Sequence, residues 1–426
     1  MGTRPSSWLF RISDKDDVKM RYIYVYNENS RASEYGIGTY ISQIICMLKD
    51  LSDTKLIIVE SRSECEEFEV LQEDGYCKYT IPCANVFRNS FENNYYRNIG
   101  YLILSVLPDS SCNEILFLFN YVQEYYILKV VKDKIPSVKS LFTIHYQDWC
   151  FHLNGDESEL RKIIHAEFDD DSPLHKKVKE SFRIEKLMYQ LCNYTICLSK
   201  YTKNLIAQEY DIPKEKLKYI PNTITINYNP NYTQETLRNS LSLSENDIVV
   251  LFIGRLDEIK RLDVVIQAFK IFNKKYIHNS HLIIIGEGDF STYLQDSKWY
   301  WNKITFTGKL SKEELYQFYE ITDLGILPSL HEQCSYAVLE MLSFGIPVLG
   351  SNSTGLKEMI EDENMIIEYR YKDGKAYCDL EKVALQMYQV IISGKKAMLP
   401  KCYNFNYIRI QLQNLILNCG TEKHLE

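Results

Sequence analysis

The sequence has no C-x2-C pair, no apolar run near the roughly 18 residues that a membrane-spanning helix needs, no excess of positive charge and no complete G-x-G-x-x-G. Each absence excludes something. The 12 cysteines are scattered from Cys46 to Cys419, and the closest pair, Cys192 and Cys197, has no matching second pair, which argues against a zinc site. Several sit in apolar runs, where a thiol behaves as a small hydrophobe, so the pattern suits a reducing cytosol better than a disulfide framework. A net charge of −8 argues against a nucleic-acid partner, because phosphate backbones call for a basic surface. The first twenty residues hold no long apolar segment and do not read as a signal peptide. Met20 directly precedes the first strand, so residues 1–20 are expected to be a leader outside the fold, disordered or non-native.

What is present is ordinary globular composition, 45% hydrophobic and 25% charged, over 426 residues, enough for two domains with a core each. Tyrosine is abundant at 33, together with Asn, Lys and Ile, a lean read as compositional rather than as a sugar-stacking surface.

The most informative stretch runs from Pro328 to Glu358, PSLHEQCSYAVLEMLSFGIPVLGSNSTGLKE. It follows an apolar run, 324–327, that reads as a buried strand. Ala337, Val338, Met341 and Leu342 then recur at helical spacing from Cys334 to Phe344, and Gly345-Ile346-Pro347 ends the helix. Val348-Leu349-Gly350 reads as the next strand, which completes a βαβ unit of a parallel sheet. The helix N-terminus, near Cys334-Ser335-Tyr336, offers free N–H groups and a positive dipole end to an anion. Glu332 precedes that terminus and Glu340 lies inside the helix. Eight residues end about 80° past two full turns, so both carboxylates reach one crevice and bracket the amides. An anion held between two carboxylates fits a ligand with hydroxyls at both ends, as in a sugar nucleotide.

The E-x7-E pair Glu332/Glu340, with the preceding FTGKLSKEELYQFYEITDLGILPSL, resembles the large retaining glycosyltransferase family of GT-B fold that includes sucrose and glycogen synthases and many bacterial sugar transferases. The likeness runs evenly from 248 to 358 and more patchily through 21–222. It implies an α/β chain of two Rossmann-like domains facing across a cleft: an acceptor-side domain at 21–222, a linker at 223–234, a nucleotide-sugar domain at 235–400, and a final segment, 401–426, whose helix crosses back to the first domain.

Other residues take their expected roles from position and from this likeness. Strand 21–26, then Gly36-Ile37-Gly38 opening a helix, begins a nucleotide-binding fold, and the family's glycine loop here approaches the donor, so Gly36 and Gly38 are donor-side candidates, with Tyr35 standing where the first glycine would be. His145 ends the strand SLFTI at the crevice, and the family's matching histidine bonds the donor sugar. Gly254-Arg255-Leu256 and Lys260 follow the strand 248–253. A planar fork and a point charge there suit a diphosphate, and GRL-x3-K resembles the family's phosphate clamp. Leu310 marks the turn beside the nucleobase. Gln333, Cys334, Ser335 and Tyr336 would present the helix amides, although the family often has glycine where Gln333 and Ser335 stand. Glu340 would hold the ribose and Glu332 the transferred sugar.

The resemblance thus implies a nucleotide-sugar donor, weakly a uridine diphosphate sugar, an acceptor on a glycan, lipid-linked glycan, peptide or small molecule, and no metal or other cofactor. A nucleotide-sugar epimerase of the same fold and a noncatalytic partner subunit remain alternatives. Asn154 to Pro173 reads as a mobile acidic insertion. The basic stretch 175–191 reads as a solvated helix face, with peripheral contact to the inner membrane surface as the other option.

Overall fold

A computed structural model of the protein describes residues 19–30, 36–83, 89–166, 172–229 and 233–419. Most of the leader, Tyr35 and the acidic run 169–171 lie outside the described residues.

The first sheet comprises β1 (Arg21–Glu28), β2 (Thr54–Ser63), β3 (Glu69–Glu73), β4 (Tyr76–Pro82), β5 (Glu114–Phe119), β6 (Lys139–Ile144), β7 (Tyr194–Cys197) and β8 (Leu217–Tyr219). Their order across the sheet is β3-β4-β2-β1-β5-β6-β7-β8, all parallel except the β3–β4 hairpin. The second sheet comprises β9 (Ile248–Ile253), β10 (Ser280–Ile285), β11 (Ile304–Gly308), β12 (Leu324–Leu327), β13 (Val348–Ser351) and β14 (Ile366–Ile367), in the order β11-β10-β9-β12-β13-β14 and parallel throughout. A small hairpin, β15 (Arg370–Lys372) with β16 (Lys375–Tyr377), stands apart. Helices cover both faces, so the central strands are buried on both sides and read as unbroken apolar runs, such as Ile248–Ile253.

One apolar cluster runs through both sheets. It joins Ile37, Ile41 and Ile44 of the Gly36–Leu48 helix to Val338, Leu339 and Met341 of the Tyr336–Ser343 helix. Ile408, Leu412 and Ile416 of the last helix, Phe405–Leu417, belong to the same cluster, and its Gln413 Nε2 donates to the carbonyl of Met47 at 2.7 Å. The chain between the sheets is itself buried at Asn222 and Thr223, and Thr223 Oγ1 donates to Tyr403 O at 2.6 Å.

The segment after Asn154, expected to be a mobile acidic insertion, holds a helix, Glu157–His165. Asp156 caps it by accepting from the N–H groups of Ser158 and Glu159, and Leu160 and Ile163 bury its inner face. The β3–β4 hairpin interrupts the alternation of strands and helices after β2. Its exposed outer strand, EVLQE, lacks the apolar run of an interior strand.

Candidate active site

The carboxyl ends of both sheets open on one cleft of about 740 Å³. Ligand crevices of α/β folds form at this edge, because helix N-termini and loops converge there. Of the residues singled out in the sequence, Gly36, His145, Gly254, Arg255, Lys260, Leu310, Glu332, Gln333, Cys334, Ser335, Tyr336 and Glu340 all line it. Gly38 does not; it is the third residue of its helix, where its carbonyl accepts from Ser42 Oγ at 3.0 Å.

The loop carrying Glu332 is held from several sides. Leu330 N–H donates to Ile259 O at 2.8 Å, and Glu332 N–H donates to Thr354 Oγ1 at 3.1 Å. The Thr354 hydroxyl in turn donates to Glu332 O. Gly355 N–H donates to the same carbonyl at 2.7 Å, and a Cβ at residue 355 would lie 1.8 Å from Gln333 O, so only glycine permits this approach. A second close approach fixes the loop after β9: at Gly286, whose φ is +153°, a Cβ would lie 1.8 Å from Gly254 O.

Charges pair across the cleft floor. Lys260 Nζ bonds Glu332 Oε1, and Arg255 Nη2 meets Asp257 Oδ2 at 3.0 Å. Glu340, 1% exposed, receives Lys312 Nζ on one oxygen and the Tyr319 hydroxyl on the other, the latter at 2.7 Å. Each carboxylate oxygen retains a second lone pair. Between the two glutamates stands the N-terminus of the Tyr336–Ser343 helix. Its N-cap, Ser335, makes no side-chain cap bond, and the Ser335 N–H has only the Met359 thioether, at 3.3 Å, a weak acceptor.

Gln333 does not turn its side chain to the donor side. Its Oε1 accepts from Thr202 Oγ1 and, at 3.3 Å, from Ser199 Oγ, which bridges the two sheets. Glu358 makes a parallel bridge, accepting from Lys200 N and Tyr201 N at 2.9 and 2.6 Å at the start of the Lys200–Glu209 helix. With Oε1 so engaged, Gln333 Nε2 faces His331 Nε2 at 3.4 Å. An amide nitrogen there is a donor, so His331 Nε2 accepts and Nδ1 carries the proton. Burial pushes this imidazole down to about 4, so it is neutral, and its Nδ1–H is buried without a protein partner.

His145 has the opposite tautomer. Asn120 Nδ2 donates to Tyr26 O at 2.7 Å, which turns Asn120 Oδ1 to His145 Nε2 at 2.9 Å. Nε2 therefore donates, and Nδ1 is left as an acceptor. The Tyr40 ring stands edge-on to it at 4.6 Å, and burial drives its pKa down to about 3. Neither histidine is a cation near neutral pH.

Asn120, Asn222, Lys312, Tyr319 and His331 escaped the sequence reading. Asn222 Nδ2 donates to Cys334 O at 2.7 Å, and its Oδ1 is buried in the cleft wall unpartnered. Only its place after the strand-like Leu217–Ile220 hinted at this. Lys312 opens an amphipathic helix and looked like an ordinary surface lysine.

The architecture is GT-B: across 94% of this chain it superposes on 99% of the sucrose-phosphate synthase from Thermosynechococcus elongatus with a TM-score of 0.68 at 13% identity. Anabaena HepE, solved with UDP and glucose, superposes with a TM-score of 0.61 at 14% identity, covering 93% of this chain and 99% of that one. Residues 233–376 match the family described as glycosyl transferases group 1. One curated relative is an uncharacterized glycosyltransferase, MJ1607, of Methanocaldococcus jannaschii, 29% identical over 254 residues that make up 54% of this chain and 62% of that protein. The matched stretches span between 43% and 62% of the first four curated relatives. Among the described residues no helix is long and apolar enough to cross a membrane.

Proposed function

We propose that the protein is a retaining glycosyltransferase that moves a hexose-type sugar from a nucleotide sugar, preferably a uridine diphosphate sugar, to an acceptor hydroxyl on a glycan, lipid-linked glycan, peptide or small molecule. The observation that carries this reading is a helix terminus without a side-chain cap that lines one cleft together with Arg255, Lys260, Glu332 and Glu340. Glu340, steadied by Lys312 and Tyr319, accepts from the ribose hydroxyls. The diphosphate lies on the helix amides and draws Lys260 and Arg255 from their carboxylate partners. Glu332, freed from Lys260, turns to the sugar hydroxyls, and His145 Nδ1 accepts from another. HepE, with UDP and glucose in its structure, supports the preference for uridine.

As the glycosidic bond breaks, its electron pair moves onto the diphosphate oxygen. Cations and dipoles already in place stabilise that charge. Among the described residues the cleft lining carries no carboxylate besides Glu332, engaged with the sugar hydroxyls, and Glu340, at the ribose end, so none is left over for the paired logic of retaining glycosidases. The acceptor oxygen therefore attacks the oxocarbenium-like centre on the face the diphosphate is leaving, and its proton passes to the departing phosphate oxygen.

Incubation with a panel of sugar nucleotides, read as release of nucleoside diphosphate with and without acceptors, tests the reading. Release with one sugar nucleotide is expected, and no release with any would overturn it. Turnover is expected to survive EDTA, because Arg255, Lys260 and the helix amides supply the charge stabilisation. Activity lost in EDTA and restored by magnesium or manganese would contradict this.

A further inference from the structure

Away from the cleft, a groove of about 470 Å³ lies between the Lys200–Glu209 helix, β8 and the last helix. Lys203, Lys214 and Lys218 line it, with Tyr219 and, from the last helix, Gln411 and Asn414. In a chain of net charge −8 this is an unusual concentration of cations. Some surface lysines elsewhere meet carboxylates, as Lys186 meets Asp211 and Lys275 meets Glu381. Among the described residues no carboxylate stands within ion-pair distance of these three ammoniums. Lys218 Nζ has only the Tyr194 ring, 4.7 Å from its centroid. Burial first, and the charge of Lys203 second, hold Lys218 below the ordinary lysine value, with Glu215 acting weakly the other way. Folding has thus brought like charges into a concave site whose walls also supply the Gln411 and Asn414 amides. That arrangement costs free energy unless an anion occupies it.

We propose that this groove is a second binding site, for a phosphomonoester-class anion. Three ammoniums match the three terminal oxygens of such a group, each contact charge-assisted. The Gln411 and Asn414 amides reach the part that carries the phosphate. A bound anion joins the Lys200–Glu209 helix to the last helix. The first turn of the former holds Gln333 and Glu358 from the second sheet, so occupancy braces the seam beside Glu332.

The test titrates the full chain with inorganic phosphate by calorimetry, alongside two variants. Lys203→Gln/Lys214→Gln, both at solvent-reached positions and compatible with folding, is expected to bind phosphate at least tenfold more weakly; adding Lys218→Met is expected to abolish binding. Arg255→Ala/Lys260→Ala, altered only in the cleft, is expected to keep the groove affinity. This separates the outcome from that of the glycosyltransferase reading. Unchanged phosphate affinity in the groove variants, or loss in the cleft variant alone, overturns the proposal. Sedimentation with phosphatidate vesicles separates the sources. Retention that the groove variant loses assigns a lipid headgroup, and phosphate binding without vesicle retention assigns a soluble phosphomonoester.

Discussion

Lys260 and Glu332 hold each other across the cleft, so each is half of the other's environment. Lys260→Ala removes a diphosphate contact and leaves Glu332 without its partner. Arg255→Ala frees Asp257 in the same way. Losing one half of a charge-assisted contact costs about 2–3 kcal/mol, so kcat/KM should fall roughly 30- to 150-fold in each variant. Sugar transfer by either at the wild-type rate would remove the clamp from the account. The glutamates and the two cations were legible in the sequence through their likeness to the family's E-x7-E pair and GRL-x3-K clamp, with the strand-to-helix loops putting them at one edge. Their partners were not. Lys312 reaches Glu340 across 28 residues and Asn222 reaches Cys334 across 112, and no local pattern encodes such meetings. The two histidine tautomers depend on third parties, Asn120 and Gln333, and were invisible for the same reason.

At the scale of elements, the loop between β12 and the Tyr336–Ser343 helix depends on the turn that follows β13. Gly355→Ala would push a methyl against Gln333 O, 1.8 Å away. Overpacking of this kind costs about 1–3 kcal/mol. Thermal denaturation should show that loss, and turnover should drop further than stability accounts for, because Glu332 moves with the loop. A Gly355→Ala protein with normal melting and normal rate would show that the turn does not position Glu332. The βαβ units around this loop were readable, because buried parallel strands give unbroken apolar runs and their helices keep a helical period. The β3–β4 hairpin and the Glu157–His165 helix were not. One is an exposed edge whose strand, EVLQE, is neither an unbroken apolar run nor alternating, and the other buries little more than Leu160 and Ile163.

For the whole molecule, the neutral imidazoles set an acid limit. Burial holds His145 at about 3 and His331 at about 4, below the ordinary 6.5. The unfolded chain therefore binds more protons than the folded one between about pH 6.5 and those values. Stability from this source is intact above 6.5 and drains as the pH falls, by up to about 1.4 kcal/mol per pH unit for each histidine. Glu185, raised to about 7 by burial, acts in the other direction, but it is common to the proteins compared. Denaturant unfolding of His145→Gln/His331→Gln should show a shallower loss between pH 6.5 and 4 than the wild type; equal slopes would mean the rings are not buried neutral. On the proposed reading one sugar nucleotide spans the cleft, with ribose at Glu340 and sugar at Glu332. Calorimetric titration of Glu340→Gln and Glu332→Gln with free uridine diphosphate separates the two ends. Glu340→Gln is expected to bind more weakly, and Glu332→Gln with nearly wild-type affinity, because its partner is absent from the free diphosphate. Equal affinities for the two variants would contradict that reading.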